Sequence, residues 1–561
     1  MKKKWLSSTM SVILAGVMVA SLMTGCGQQN AQKESSVQKE ESKLEESKVE
    51  ESKVEESSIV TEETEELTYP LDTDLELQIY VDEYWVLAPE YASADQSPFH
   101  TKLAENTGDT IDWQFPAQGA DRGVALNLLW QEEVLPHIIV TSANASKGAE
   151  WIADGVIYDL TEYIPKYAPD YYEFLINDEN LMKSLVTADG RLYSIAGFRE
   201  STYNITYLGP VIRKDWLDEC DLDFPVTLED WEKVLVTFKD KYDAYFGFAT
   251  WRYNAAIGIA SGVGAQASLA TRYYVDDNNK VQLGNAQPEW KEMLEVLHRW
   301  YEMGLLDKDF ALQEDPAVRS KALKGDIGVS ITAMSQLTNF QVDADAEGTG
   351  AQWVGFEYPR TAPGEPTVAI QTDRSLYAGG GAVITTSCSE EELILALQLL
   401  NYGFTEEGIM FHNYGTEGES YTINAEGEVE WTDLILNDPA GRDAAVKKYS
   451  AVHSGQISVQ QARFVQLKNS EASRNAVYKW VENTVADKYT MPKLARSTDE
   501  NARYSDLSAP MDTYISEMAV KFVTGDEDLA DFDKFLKKLD EMGLQEILKI
   551  QQAAYDRYLG K

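Results

Sequence analysis

LELQIYVDEYW, residues 75–85, alternates apolar and polar side chains and then closes on two aromatics. That pattern predicts a β-strand with Tyr84 and Trp85 at its carboxyl end. The stretches that follow repeat a simple cycle. SPFHTKLAENTG (97–108) has helical spacing and a glycine stop, TIDWQFPA (110–117) reads as a strand, DRGVALNLLWQEE (121–133) as a helix, and LPHIIVTSA (135–143) as a buried strand. Strand and helix in regular alternation predict an α/β fold, a parallel sheet with helices on its faces.

A second cycle starts near Tyr203. YLGPVIRKDWLDE (207–219) reads as a strand feeding a helix, and TLEDWEKVLVTFK (227–239) opens with Thr227 and Asp230 spaced as a helix cap. FGFATW (246–251) is a short strand that again ends in an aromatic. In PEWKEMLEVLHRWYEMGLL (288–306), Met293, Val296, Leu297 and Trp300 fall on one helical face. GDIGVSI (325–331) and AQWVGFEYP (351–359) supply further strands. The C-terminal part is largely helical: Phe532, Phe535, Leu536, Leu539 and Met542 form one apolar stripe, Gly543 breaks it, and Leu544, Ile547, Leu548 and Gln551 begin another. Core packing accounts for such stripes.

The chain opens with MKKKW, a positive cluster ahead of an apolar run containing VILAGVMVA. This is a secretory signal pattern, and its serine and threonine interruptions make a permanent membrane span the weaker reading. Thr24 and Gly25 lead directly into Cys26, which resembles the bacterial lipobox, although Met23 stands where leucine is more common. A thiol acylated there anchors a protein stably when two or more chains are attached, at roughly 0.8 kcal/mol per buried methylene. From Gln28 to Glu66 the chain is polar and acidic, with near-repeats of ESKVE and no aromatic residue. Such a segment cannot build a core and reads as a disordered or transiently helical spacer; its apolar positions are too few for sustained coiled-coil heptads.

After Leu67 the composition turns globular. Roughly five hundred residues exceed what one core organises, so at least two lobes are expected. The formal net charge of -44 argues against nucleic acid or an anionic membrane as a binding partner. Besides Cys26 only Cys220 and Cys388 remain, and they read as two free, buried thiols. The histidines His100, His137, His298, His412 and His453 show no metal-ligand spacing. The Asp and Asn cluster in YVDDNNKVQLG (274–284) lacks the spacing and terminal glutamate of a calcium loop and reads as a polar hairpin turn. No cofactor or metal is expected.

Several stretches carry a likeness to a known family. The lipobox, the polar tether, the order of strands and helices, VTADGRLYSIAGF (186–198), YLGPVIRKDWLDE (207–219), HNYGTEGESYTI (412–423) and MGLQEILKIQQAAYDRY (542–558) together resemble the extracellular solute-binding lipoproteins of ABC importers. The type is family 1, maltose-binding-protein-like and carbohydrate-binding, as found in Gram-positive bacteria. The resemblance implies a two-lobed, type II periplasmic-binding-protein-like fold, with discontinuous lobes joined by a hinge and the ligand in the cleft between them. The organisation expected is a signal peptide over 1–25 and a lipid-anchored acidic tether over 26–69. Lobe one would then hold 70–197 and 380–460, and lobe two 198–379 and 461–561. By the same likeness the chain would cross between lobes near Ser194–Phe198 and again in LYAGGGAVITT (376–386). Gly379 to Gly381 make no nucleotide fingerprint, because a strand follows them instead of a helix; a hinge or close backbone approach explains them better.

In α/β sheets, ligands bind beyond the carboxyl ends of the strands. That rule selects Tyr84 and Trp85 after the first strand, Asn144 after the third, and Trp251, Arg252 and Tyr253 after FGFAT. Arg199, Glu200 and Tyr203 lie beside the proposed crossing, and Tyr414 and Glu417 lie in the NYGTEG loop. Aromatic faces with carboxylates, amides and guanidinium groups suit a sugar. Each aromatic also fits core or rim packing, Arg199 with Glu200 fits a surface or hinge ion pair, and Tyr414 and Glu417 fit a structural turn between glycines. The resulting expectation is a non-enzymatic protein on the extracellular face of the cell membrane. It would be monomeric, held by lipid on Cys26, and would capture an oligosaccharide and deliver it to ABC permease subunits. A surface-anchored glycoside hydrolase is the competing reading. A third keeps the fold but takes a peptide or a uronate sugar, with Arg199 and Arg252 as carboxylate partners.

Overall fold

The alternation in residues 75–81 becomes β1 (Glu76–Val81), with Leu77, Ile79 and Val81 buried on one face and Tyr80 on the other. In a computed structural model, residues 67–83, 91–117, 119–141, 147–200, 206–249, 257–372, 377–451 and 457–561 are described. β1 pairs in parallel with β2 (Thr110–Gln114) and with β3 (Ile138–Thr141), Ile79 standing opposite Trp113 on one side and Ile138 on the other. The helix Pro98–Thr107 that joins β1 to β2 starts with proline and stops at Gly108, whose φ of 81° makes it the left-handed cap. The helix Arg122–Leu129 before β3 is capped by Asp121, whose carboxylate accepts the Val124 amide.

The same sheet takes in β4 (Ile195–Arg199), and a second sheet begins with β5 (Leu208–Arg213) and β6 (Tyr245–Gly247). A hairpin of β7 (Tyr273–Val275) and β8 (Val281–Leu283) holds the expected polar turn. There Asp276 accepts the amides of Asn278 and Lys280, and Asn279 has a φ of 58°. β9 (Ile327–Ala333) and β10 (Trp353–Gly355) complete the four-stranded sheet, in the order β10-β5-β9-β6. The chain then returns to the first sheet with β11 (Tyr377–Ile384), forms a small hairpin of β12 (Tyr421–Ile423) and β13 (Val429–Trp431), and adds β14 (Val459–Gln460). The six-stranded order is β14-β4-β11-β3-β1-β2, with β11 antiparallel to both neighbours.

Two expectations change in detail. The glycines 379–381 lie inside β11, not ahead of a strand. The pairing of β11 with β4 shifts register between Tyr377 and Gly381, and a Cβ on Gly381 would stand 3.2 Å from the Ile195 carbonyl oxygen, so close backbone approach is the use of Gly381. Of the two thiols, both free, Cys388 is buried but Cys220 is only half-buried.

The helical stripes go inward. Thr227 and Asp230 form a reciprocal capping box on the helix Leu228–Tyr242. Met293, Leu297 and Trp300 of the helix Pro288–Glu302 are buried, with Val296 half-buried at the margin. Near the C-terminus Phe532, Phe535 and Leu539 are buried and Leu536 and Met542 partly so. Gly543, at φ 99°, turns the chain into the helix Leu544–Tyr558, where Leu544, Ile547 and Gln551 are buried. Among the described residues no helix is long and apolar enough to cross a membrane.

Three passages link the two sheets, and they are tied together. Residues 200–207 run from β4 to β5, and the Gln371 side-chain carbonyl accepts the amides of Tyr207 and Leu208 at 2.8 and 3.2 Å. The buried Tyr358 hydroxyl donates to the Leu208 carbonyl at 2.5 Å. Glu200 donates its amide to the Gln460 carbonyl, and its carboxylate accepts the Ala462 amide at 2.7 Å, which joins the first passage to the one leaving β14. The N-terminal side comes in at the opposite edge: the Leu71 amide donates to the Thr107 carbonyl at 2.7 Å, next to the amino end of β2.

Candidate binding site

Strand direction determines where a ligand can sit. β1, β2, β3 and β4 all point the same way, so their carboxyl ends share one edge of the six-stranded sheet. In the other sheet β6 and β9 run parallel, and residues up to Asp307 extend it, with the Asp307 amide bonded to the Phe246 carbonyl. Residues 200–207 leave the carboxyl end of β4 and arrive at Leu208, which pairs with Ala333 at the carboxyl end of β9. One short passage therefore joins the two ligand-competent edges.

Seven of the residues expected at these ends, Tyr84, Trp85, Asn144, Tyr203, Trp251, Arg252 and Tyr253, lie outside the described residues, as does Cys26. The other four are described. Arg199 ends β4 half-buried, its guanidinium 5.9 Å from the centre of the Tyr207 ring. Glu200 is exposed and spends its carboxylate on the start of the helix Ala462–Lys468. Tyr414 is the last residue of the helix Glu406–Tyr414 and is wholly buried, its ring packed against Tyr421, Trp431 and Phe464 at 5.5, 5.7 and 6.2 Å between centres. It belongs to the core, and burial raises its hydroxyl pKa. Glu417 is exposed in the turn ahead of β12.

The structure adds residues that spacing did not single out. Directly after β1, Asp82 and Glu83 are each 1% exposed, and Arg122, at the start of the helix before β3, reaches both: Nη2 to Asp82 Oδ2 at 2.8 Å and Nη1 to Glu83 Oε1 at 3.2 Å. Asp82 also extends the ladder, its amide donating to the Val140 carbonyl. On the second sheet the buried Asp307 holds Lys321 through both oxygens, at 3.0 and 2.8 Å, and Asp309 takes the same ammonium at 3.0 Å. Burial opposes the lysine's charge, but these carboxylates outweigh it and keep its pKa above the ordinary range. Gln313, 5% exposed, turns its amide hydrogens onto the Phe248 carbonyl at 3.0 Å and Asp307 Oδ2 at 2.8 Å, which leaves its Oε1 without a hydrogen-bond partner among the described residues. Both of those contacts are acceptors, so the amide has one possible orientation. The acidic pair had one visible signal, two consecutive carboxylates between an apolar strand and its aromatics; Arg122, Asp307 and Gln313 had none. Among the described residues no group of three or more His, Cys, Asp or Glu side chains is placed to hold a metal ion.

The arrangement matches known proteins along most of the chain, although no protein-family model matches it. Lipoprotein LipO of Bacillus subtilis (strain 168) is 24% identical over 491 residues, 83% of this chain and 89% of that protein. The fructooligosaccharide ABC transporter substrate-binding protein FusA of Streptococcus pneumoniae serotype 4 (strain ATCC BAA-334 / TIGR4) is 21% identical over 483 residues, 82% of this chain and 86% of its own. Among solved structures, alginate-binding protein AlgQ2 without calcium ion superposes with a TM-score of 0.68 at 20% identity, covering 88% of this chain and all of that one. The fold is that of the type II solute-binding proteins, two α/β lobes each assembled from discontinuous segments. FusA and AlgQ2 are binding proteins by name, and LipO a lipoprotein.

Proposed function

We propose that this protein is the substrate-binding lipoprotein of an ABC importer, which captures an oligosaccharide between its lobes and hands it to a membrane permease. The observation that carries the reading is the passage from β4 to β5, which brings the carboxyl edges of two separate sheets to one place. Contacts available from both edges only in the closed form shift the population toward closure, and no bond in the cargo is broken. FusA's name supplies the ligand class and the importer, and LipO's the lipoprotein. Lobe one comprises 70–197 and 380–460, lobe two 198–379 and 461–561, with β4 and β11 of the first sheet running past those bounds by two and three residues, and Cys26 carries the lipid that holds the mature protein at the outer face of the membrane. Of the residues expected to meet the sugar, Arg199 stands at the right edge by strand direction, whereas the packing of Tyr414 favours a core role. Isothermal titration with small-angle scattering against a glycan panel tests the reading: a bound glycan should compact the protein and be recovered intact. Turnover of the glycan, or binding without compaction, would overturn it.

A further inference from the structure

The outer flank of the first sheet carries a groove of about 430 Å³ between the helix Pro98–Thr107 and β2, the edge strand. It lies four strand spacings, about 19 Å, from β4, where the passage to the second sheet starts. Ile111 and Trp113, half-buried on one face of β2, form one wall, and Thr101 and Ala104 of the helix form the other. The volume falls in the range of small-molecule sites. One buried side chain gives the groove its chemistry. His100 is 7% exposed, and its Nδ1 is spent on the Ser97 hydroxyl at 2.9 Å. Nε2 has no hydrogen-bond partner among the described residues, and protein does not seal it off. A buried polar atom in that position costs free energy unless something outside the chain meets it. Burial holds the ring's pKa down at about 4, so the imidazole is neutral at ordinary pH. Ser97 can donate or accept, so Nε2 presents either a hydrogen or a lone pair, and a hydroxyl group suits both. At the rim the exposed Asp95 carboxylate has no partner among the described residues, whereas Glu105 is neutralised by Lys102 at 2.9 Å. The groove therefore joins an indole wall to a neutral imidazole and a free carboxylate, and no described cation lines it.

We infer that this groove takes one pyranose unit of a neutral glycan, a second sugar site away from the cleft. It rests on the reading proposed above only for the kind of molecule the protein meets. The C–H face of the sugar ring lies on Trp113, and its hydroxyls bond His100 Nε2 and the Asp95 carboxylate. A glycan held at the flank by one of its units stays at a raised local concentration beside the cleft, as with any pair of linked sites.

The chain has five histidines, so magnetic resonance of the full mature protein carrying isotope-labelled histidine gives few ring signals, and loss of one in His100→Gln assigns His100. Methyl β-glucopyranoside, methyl β-galactopyranoside and kestose are the probes, with choline chloride as a cationic control. The expected result is a saturable shift of the His100 ring nitrogens with at least one sugar, at a dissociation constant of about 1–10 mM. Ala104→Phe, which fills the groove, should weaken that binding at least about tenfold while leaving glycan-driven compaction in small-angle scattering as in the wild type. If that variant does not fold, Ala104→Gln takes its place. No shift with any sugar up to about 50 mM, a shift with choline alone, or a shift that survives filling of the groove overturns the inference. Compaction by a glycan in any of those cases leaves the transport reading standing. Neither shift nor compaction with any glycan overturns both.

Discussion

The indole of Trp480 lies across the backbone of Gly209. A Cβ on that glycine would stand 2.4 Å from the ring, and the indole N–H donates to the Pro210 carbonyl at 3.0 Å. The contact seats the helix Glu471–Val481 on β5, in a strand whose pleat has room for a hydrogen atom and nothing larger. Gly209→Ala should therefore lower stability by about 1–3 kcal/mol through overpacking, read as a shift in urea midpoint with unchanged slope. An alanine variant as stable as wild type would show that the helix lifts off without cost.

Stability should fall in acid for an identifiable reason. Burial alone lowers the His100 pKa to about 4, and burial, with the Gly408 carbonyl acting against it, does the same to His412. Unfolding lets both rings take a proton near pH 6.5, so each contributes stability that is complete above that value and is lost as the pH falls toward 4. Asp109 acts in reverse: burial raises its pKa to about 6, so between pH 4 and 6 the folded protein holds a proton that the unfolded chain releases. With each group worth roughly 1.4 kcal/mol per pH unit, two histidines outweigh one aspartate. Asp109→Asn should steepen the loss below pH 6 and raise stability at pH 7.5, both measurable by urea unfolding across that range.

Glu200 holds a helix end. Its carboxylate supplies the acceptor for the Ala462 amide, and Glu200→Ala should cost about 1 kcal/mol while Glu200→Gln, which keeps an oxygen in place, costs less. Equal losses in the two variants would mean that the charge, not the hydrogen bond, is what matters.

The thiols should differ in reactivity. Burial raises the Cys388 pKa to about 12, and it is 4% exposed, so the native protein at pH 8 should leave it unmodified by iodoacetamide. Cys220 is half-buried and should be alkylated slowly, and both should react in urea. Mass spectrometry of the peptides reads the difference; early labelling of Cys388 would contradict its enclosure.

Much of the architecture was legible in the chain because it is local. Period-two alternation marks β1, a proline and a glycine bracket the helix Pro98–Thr107, and Thr227 with Asp230 announces a cap that the structure contains. What periodicity does not carry is direction or neighbour. Nothing in LYAGGGAVITT reveals that β11 inserts antiparallel between β3 and β4, because alternation is the same read either way. The site was less legible for a related reason. Asp82 meets Arg122 across forty residues, and Gln313 is oriented by Phe248 and Asp307, partners no spacing rule connects. Tyr414 misled by its company: Gly415 and Gly418 suggest a loop, yet the helix beginning at Glu406 runs through Tyr414 and carries its ring into an aromatic cluster.

The place where Leu71 joins the body has a practical side. Because Leu71 is bonded beside the amino end of β2, a biotin handle placed at residue 67 would fasten the molecule to a sensor by the edge away from the strand carboxyl ends. Analyte would then approach the strand ends unobstructed, and signal lost on such a chip would report chemistry at those ends instead of crowding by the support.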